Sequence, residues 1–324
     1  MTLTVHAPDG VPEVVEGTDL AAVLVGLVDL VDGDVVVVTS KVVSKSEGRV
    51  RAGDRDGALA AETARVVARR GPTTIVRTHH GLTMAAAGID ASNVALGSIV
   101  LLPLDPDASA RRLRERLHAL TGRVVGVVVT DTAGRAWREG QTDIAIGAAG
   151  LTVAESFAGR VDAHGNELAV TAPAVADEIA GAAELAQGKL GGRPFAVLRG
   201  RADLVLPADE PGPGATALVR AEGGDLFGYG AREAVVRALR GAARDQAPFG
   251  APVPPEELLA AVAAATCDRA TGSVEEGVLV VRAAPDDAAR VRPLLDPLAF
   301  AHGWVCTPVE PGSAVVARMR PSTP

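Results

Sequence analysis

An aspartate and a threonine at the end of one β-branched run, and a serine and a lysine just past another, are the residues of this chain best suited to chemistry. The first pair lies in VVVTDTAGRAWREGQTDIAIGAAG (127–150), the second in VVVVTSKVVSKSEGR (35–49). Val35 to Val38 is purely β-branched and reads as a buried strand. It ends in Thr39, Ser40 and Lys41, with Lys45 one helical turn further on. Val124 to Val129, broken only by Gly126, reads the same way and ends in Thr130, Asp131 and Thr132, followed by Gly134, Arg135 and Arg138. Ligands of mixed sheets sit beyond strand ends, where loops are free to carry function. A lysine with hydroxyls at one end, and an aspartate with hydroxyls and arginines at the other, point to a triphosphate and a divalent metal.

Each residue also has a plainer reading. Asp131 suits a hard cation such as Mg²⁺ or Mn²⁺, which takes oxygen ligands, but it equally suits the cap of a tight turn. Asp90, in GIDASN, is the first residue of an ordinary Asx turn as much as a ligand. Ser40 and Lys45 can meet phosphate, although no GxxxxGK[ST] loop is present. Arg135 and Arg138 can clamp a carboxylate or phosphate, or lie on the surface. His79 and His80 suit a structural or substrate-contact role. Asp177 and Glu178 suit the positive end of a helix rather than a metal. Arg111, Arg112, Arg114 and Arg116 read as a solvated helix face.

The chain has 324 residues, enough for two domains, with 48 % apolar and only 2 % aromatic residues. Its core must be built from small side chains. A net charge of −8 and no basic stripe argue against nucleic-acid binding. The two cysteines, Cys267 and Cys306, form no CxxC or Cys/His cluster, so neither a disulfide framework nor a zinc site is expected; both read as buried small hydrophobes. No run approaches the roughly 18 apolar residues of a membrane span, and the first ten residues lack the pattern of a signal peptide. A cytoplasmic protein is expected.

The elements that must position these residues follow from periodicity and punctuation. Strands are expected at 3–5, 74–77, 98–102 and 195–198, besides the two valine runs. Helices are expected at 19–29, 55–70 and 108–120, and from Thr171 to Gly188 with Pro173 in the first turn. Residues 79–94 show neither period. Residues 208–225 are Gly-, Pro- and acid-rich and read as a linker. Beyond it, 226–324 reads as a small α/β tail domain, with helices near 230–243, 254–265 and 286–295 and strands near 278–282 and 313–318.

The ordered set TSKVVSKSEGR, AAAGIDASNV, TDTAGRAWREGQTDIAIGAAG, VDAHGNELAVTAPAVADEIAGAAELAQGK and PFAVLRG, over about residues 8–200, resembles the coenzyme F420-0:L-glutamate ligase family. The resemblance implies a mixed α/β (α+β) fold, an intertwined homodimer, and a ligase domain over 1–207. It implies addition of L-glutamate to F420-0, and possibly of further γ-linked glutamates, through an acyl phosphate. GTP is the implied co-substrate, with two Mg²⁺ or Mn²⁺ sites and K⁺. It assigns Asp90 and Asp131 to one metal and Thr132 to a second. It assigns Ser40, Lys45 and Asn93, the Val11, Pro12, Glu13 and Val14 loop, and the stretch from Gln187, Gly188 and Lys189 to Pro194 to GTP. Arg135 and Arg138 are left to grip a substrate carboxylate or phosphate.

Two departures stand out. Lys189 occupies a position where the family carries Gln or Glu as a metal ligand, and a protonated lysine has no lone pair to give. The segment between Arg49 and Thr74 is shorter than the family pattern. The tail lacks an Arg-rich FMN-phosphate segment and is too short for a full nitroreductase-like domain, so it is expected to be a reduced relic without FMN. A non-catalytic GTP- or F420-binding module is the alternative reading; an ATP-grasp ligase lacks its glycine-rich lid.

Overall fold

The computed structural model describes every residue except 1, 222, 223, 226, 308, 310–314, 323 and 324, and gives only the backbone of 69 and 70. The chain divides into two compact units, Met1–Val219 and Arg220–Pro324. The fold is mixed α/β.

The first unit is organised by a five-stranded sheet in the order Thr4–His6, Phe195–Arg199, Val35–Thr39, Gly126–Gly134, Gln141–Ala149. Only Val35–Thr39 and Gly126–Gly134 run parallel, and the other neighbours are antiparallel. Both faces of this sheet are covered, which is why its central strand is valine from 35 to 38. Val36, Val38, Val127 and Val129 pack with Leu113 and Leu117 of the helix Pro106–Thr121 and with Leu24 of the helix Leu20–Val25. Val35, Val37 and Val128 point the other way, onto Ala176, Ile179 and Ala183 of the helix Val175–Gln187. Gly147 lets the first covering helix approach closely, since a Cβ there would collide with the Pro106 carbonyl.

Smaller sheets flank this core. Val50–Ala52 pairs with Ser98–Val100, and Thr63–Arg70, Thr73–Thr78 and Thr83–Ala85 form an antiparallel triplet. The helix expected over 55–70 is therefore corrected. Only Arg55–Leu59 is helical, and Thr63–Arg70 is a strand turning through Gly71-Pro72 into the next. The β-branched Thr63, Val66 and Val67 favour the strand once a partner is available. The helix expected from Thr171 begins at Val175, leaving Pro173 outside it.

Arg114 is corrected too. It is 7 % exposed, and its guanidinium donates to the carbonyls of Val125, Leu206, Pro207, Ala208 and Glu210. Of the segment read as a linker, 208–219 packs with the first unit, and residues 222 and 223 lie outside the described set.

The second unit has a four-stranded antiparallel sheet, in the order Ala270–Glu275, Val278–Ala283, Val315–Pro321, Trp304–Thr307. Helices Pro255–Thr266 and Pro285–Ala301 supply Leu258, Val262, Val291 and Leu295 to its core, and Ala231–Arg240 is a third helix. Two of these strands, Ala270–Glu275 and Trp304–Thr307, went unread in the sequence; residues 313 and 314 of the strand expected near 313–318 lie outside the described set. Cys267 is exposed and Cys306 half-buried, so the expectation of two buried thiols is corrected.

Candidate functional site

The parallel register brings the two sequence signatures together. Thr39 pairs with Thr130, so Ser40 and Asp131 follow side by side. Ser40 starts the helix Ser40–Ser46, whereas Asp131 stays in its strand. That strand does not end at Val129, as its apolar run suggested. It continues through Asp131 and Thr132 to Gly134 because Gln141–Ala149 pairs with it as a hairpin. The Ser40 hydroxyl donates to Asp131 Oδ1 at 3.1 Å.

Asp131 is left short of positive charge. Burial above all, with the neighbouring Asp143 and Asp90, outweighs the pull of Ser40 and the Thr132 N–H and raises its carboxyl to about 7. Among the described residues no Lys or Arg forms an ion pair with it.

Asp90 is held from a different direction. Its backbone makes an antiparallel bridge to Val100, with N–H and carbonyl bonds of 3.0 and 2.8 Å. Its carboxylate accepts from Ser92 N and Ser92 Oγ, so the Asx turn read from GIDASN is present. Lys41 Nζ lies 2.6 Å from Asp90 Oδ2 and donates to Ser92 Oγ. Burial raises the Asp90 carboxyl, but Lys41 and Ser92 outweigh it and hold the group below the usual carboxylate range.

Thr132 faces Asp143 across the hairpin. Asp143 is 3 % exposed, and its two oxygens accept from Thr132 Oγ1 at 2.7 Å and Thr130 Oγ1 at 3.0 Å. The ammonium of Lys189 reaches the same place, 2.8 Å from Thr132 Oγ1, 2.8 Å from Glu184 Oε1 and 3.5 Å from Asp143 Oδ1. Burial lowers its affinity for a proton, but Glu184 and Asp143 more than compensate and keep it raised.

Lys45 is buried, and its Nζ donates to Glu13 Oε1 at 2.7 Å. Two residues assigned to the nucleotide from different segments thus meet. Val11 and Val14 anchor that loop in the core, while Pro12 and Glu13 are exposed. Gln187 is 2 % exposed, and among the described residues neither of its amide atoms has a hydrogen-bond partner. Gly188, at φ +62, caps its helix. Asn93 is exposed with a left-handed backbone.

Arg135 and Arg138 lie at the exposed tip of the hairpin. Arg135 donates to the Glu139 carbonyl, and no hydrogen bond or ion pair joins either arginine to the carboxylates. His79 and His80 bond to the carbonyls of Ala61, Pro103 and Leu104, and with Leu82, Ile146 and Thr216 they line a cavity of about 310 Å³. Asp177 accepts from Ala145 N and so ties helix to strand.

Sequence reasoning missed Lys41, Asp143 and Glu184. Lys41 was visible beside Ser40, and Asp143 follows Thr142 in QTDIAIG; only pairing across the hairpin shows that Asp143 faces Thr132. Among the described residues no three His, Cys, Asp or Glu side chains gather closely enough to enclose a metal. Mg²⁺ and Mn²⁺ do not require such a cage, since they are usually held by one or two carboxylates with phosphate oxygens and water completing the shell. The oxygen donors Asp90 and Asp131, with Asp131 lacking a cation, fit such an ion; Thr132 follows Asp131 in the strand, where successive side chains alternate faces, and meets Asp143 and Lys189 instead.

A family model described as F420-0:Gamma-glutamyl ligase matches residues 10–64 and 57–200. A coenzyme F420:L-glutamate ligase of Archaeoglobus fulgidus is 42 % identical over 220 residues, covering 62 % of this chain and 88 % of the relative. Proteins of the same name from Natronomonas pharaonis and Halobacterium salinarum are each 41 % identical, over 210 and 219 residues. They cover 56 % and 60 % of this chain, and 80 % and 85 % of their own lengths.

Proposed function

This chain belongs to the F420-0:gamma-glutamyl ligase family, and on that premise we propose that it joins L-glutamate to coenzyme F420-0 at the expense of GTP. A free carboxylate is a poor acyl donor because its oxygen is a poor leaving group. In this reading the γ-phosphoryl group of GTP passes to the terminal carboxylate of F420-0, and GDP departs. The amine of glutamate then attacks the carbonyl carbon of the acyl phosphate. The carbon–oxygen bond to phosphate breaks, inorganic phosphate leaves, and the amine loses a proton as the amide forms.

The protein's part is to bind and align. Ser40, Lys45 and Asn93, the Val11–Val14 loop and the stretch from Gln187 to Pro194 hold the nucleotide. Glu13 is exposed, so a phosphate can replace it on Lys45 at little cost. Asp90 and Asp131 would hold Mg²⁺ or Mn²⁺, which would supply charge neutralisation on the phosphates when bound. Arg135 and Arg138 grip a carboxylate of glutamate or the coenzyme phosphodiester. K⁺ and a homodimeric assembly complete the proposal, and FMN has no part in it.

The observation that carries this reading is Asp131, beside Ser40 just past the last parallel pair and short of positive charge, within the region the family model matches. The test is to incubate the purified chain with F420-0, L-glutamate, GTP and Mn²⁺ and to read the products by mass. The expected result is a product one glutamyl residue heavier than F420-0, with GDP in equal amount and no product when GTP is omitted. Binding of GTP and F420-0 without GDP release would favour the non-catalytic module.

A further inference from the structure

The Lys189 ammonium is arranged as a bound cation would be. It sits on three oxygens, from Thr132, Glu184 and Asp143, that come from two different elements, the 126–149 hairpin and the 175–187 helix. Gly188, at φ +62, turns the chain out of the helix just before it, so the side chain folds back over the helix end to Glu184.

A surface ion pair serving helix stability does not account for this. Lys189 is 59 % exposed, and exposed pairs contribute about 0–1 kcal/mol. Its other contacts reach a hydroxyl and a carboxylate that is only 3 % exposed. Two threonine hydroxyls satisfy the hydrogen-bonding of Asp143 but bring no formal charge. Among the described residues, Lys189 is the cation paired with it.

We infer that Lys189 is a tethered cation filling a metal-sized niche formed by Thr132, Asp143 and Glu184, so that this chain takes a divalent ion on the Asp90/Asp131 side alone. Lys189 is then a positioning residue. It holds Thr132 and Asp143 in place and supplies one fixed charge where an exchangeable ion would supply two. The inference rests on the proposed function for the identity of the ion on the Asp131 side, but not for the niche itself.

The test counts Mn²⁺ per chain by calorimetry and by the electron paramagnetic resonance of free Mn²⁺, with Mn²⁺ alone and again with guanosine 5′-[β,γ-imido]triphosphate. Lys189→Gln removes the charge at a half-exposed position and leaves an oxygen donor. The expected result is one more Mn²⁺ per chain in Lys189→Gln than in the parent under at least one condition, and loss of that gain in Lys189→Gln/Glu184→Gln. An unchanged count under both conditions overturns the inference, as does a gain that survives removal of the Glu184 charge. Because the readout is the difference between variant and parent, it holds whether or not the parent ligates glutamate; failure of the ligase reading would show instead as absence of product.

Discussion

Asp107 and Asp131 each put a carboxylate into the 1–219 unit, in very different company. Asp107 accepts four hydrogen bonds, from Ala148 N, Ala215 N, Thr216 N and Thr216 Oγ1. It lies in the first turn of its helix, where the dipole favours a negative charge. Seven residues on, Arg114 spends its donors on five carbonyls, four of them between Leu206 and Glu210. Together they strap the segment after the sheet onto the helix Pro106–Thr121. Asp131 accepts one side-chain hydrogen bond, from a neutral serine, and feels the charge of two further carboxylates. The satisfied aspartate is part of the fold. The unsatisfied one is a place where the fold tolerates cost, as sites of chemistry commonly do.

If that contrast is right, the two residues fail in opposite ways when replaced. Asp131→Asn should lower the rate of glutamate ligation by about a thousandfold, through loss of the charge that a divalent ion needs, while the protein stays folded by circular dichroism. Turnover close to that of the parent would remove Asp131 from the metal site. Asp107→Ala should instead cost about 3 kcal/mol of stability, because buried donors lose their acceptor. Urea unfolding measures this, and the ligation rate of the folded fraction should hardly change; a cost below about 0.5 kcal/mol would break the contrast from the other side.

Lys45 sharpens the comparison, being a buried charge whose partner is an exposed, displaceable carboxylate. Lys45→Ala should weaken GTP by about ten- to a hundredfold, the loss of a charge-assisted hydrogen bond, and leave F420-0 unaffected. Separate titrations of the two ligands decide it, since equal losses would make Lys45 a residue of the fold.

The smallest effect concerns the pH dependence of stability in metal-free buffer. The folded carboxyl of Asp131 stands at about 7, above its ordinary value of 3.8. Its stability contribution is fully present below the unfolded pKa and is lost as pH rises through 7. Asp131→Asn should therefore be more stable than the parent above pH 7, by about 1–2 kcal/mol once solvent screening is allowed for. The advantage should vanish toward pH 4. Melting curves across that range that show an equal offset at every pH would overturn the raised carboxyl of Asp131.

Much of the core and part of the candidate site were legible without coordinates. A valine run favours a strand covered on both faces, and the polar residues after two such runs were expected at strand ends; Ser40 lies at one, whereas Asp131 and Thr132 lie inside a strand that runs on to Gly134. Residue type and place in the chain drew attention to Ser40, Lys45, Asp131 and Thr132, and the family resemblance raised Lys45 and Asp90 above a solvent lysine and an ordinary turn aspartate. Local pattern was ambiguous over 55–70, where β-branched residues and arginines fit a helix or a strand. Pairing with Thr73–Thr78 settled the matter. Arg114 looked like any arginine on a charged helix face, because four of the five carbonyls it meets lie more than ninety residues away in the chain.

By itself, then, the sequence determined the strand cores and the family and supplied the candidates proposed for phosphate and metal, since these depend on side-chain type and short-range spacing. Tertiary structure alone decided which charges are matched. Parallel register put Ser40 on Asp131, hairpin register put Thr132 on Asp143, and the turn at Gly188 brought Lys189 onto both Thr132 and Asp143. Electrostatic interaction depends on distance and burial rather than on separation along the chain, so the balance of charge becomes visible only after these elements have packed.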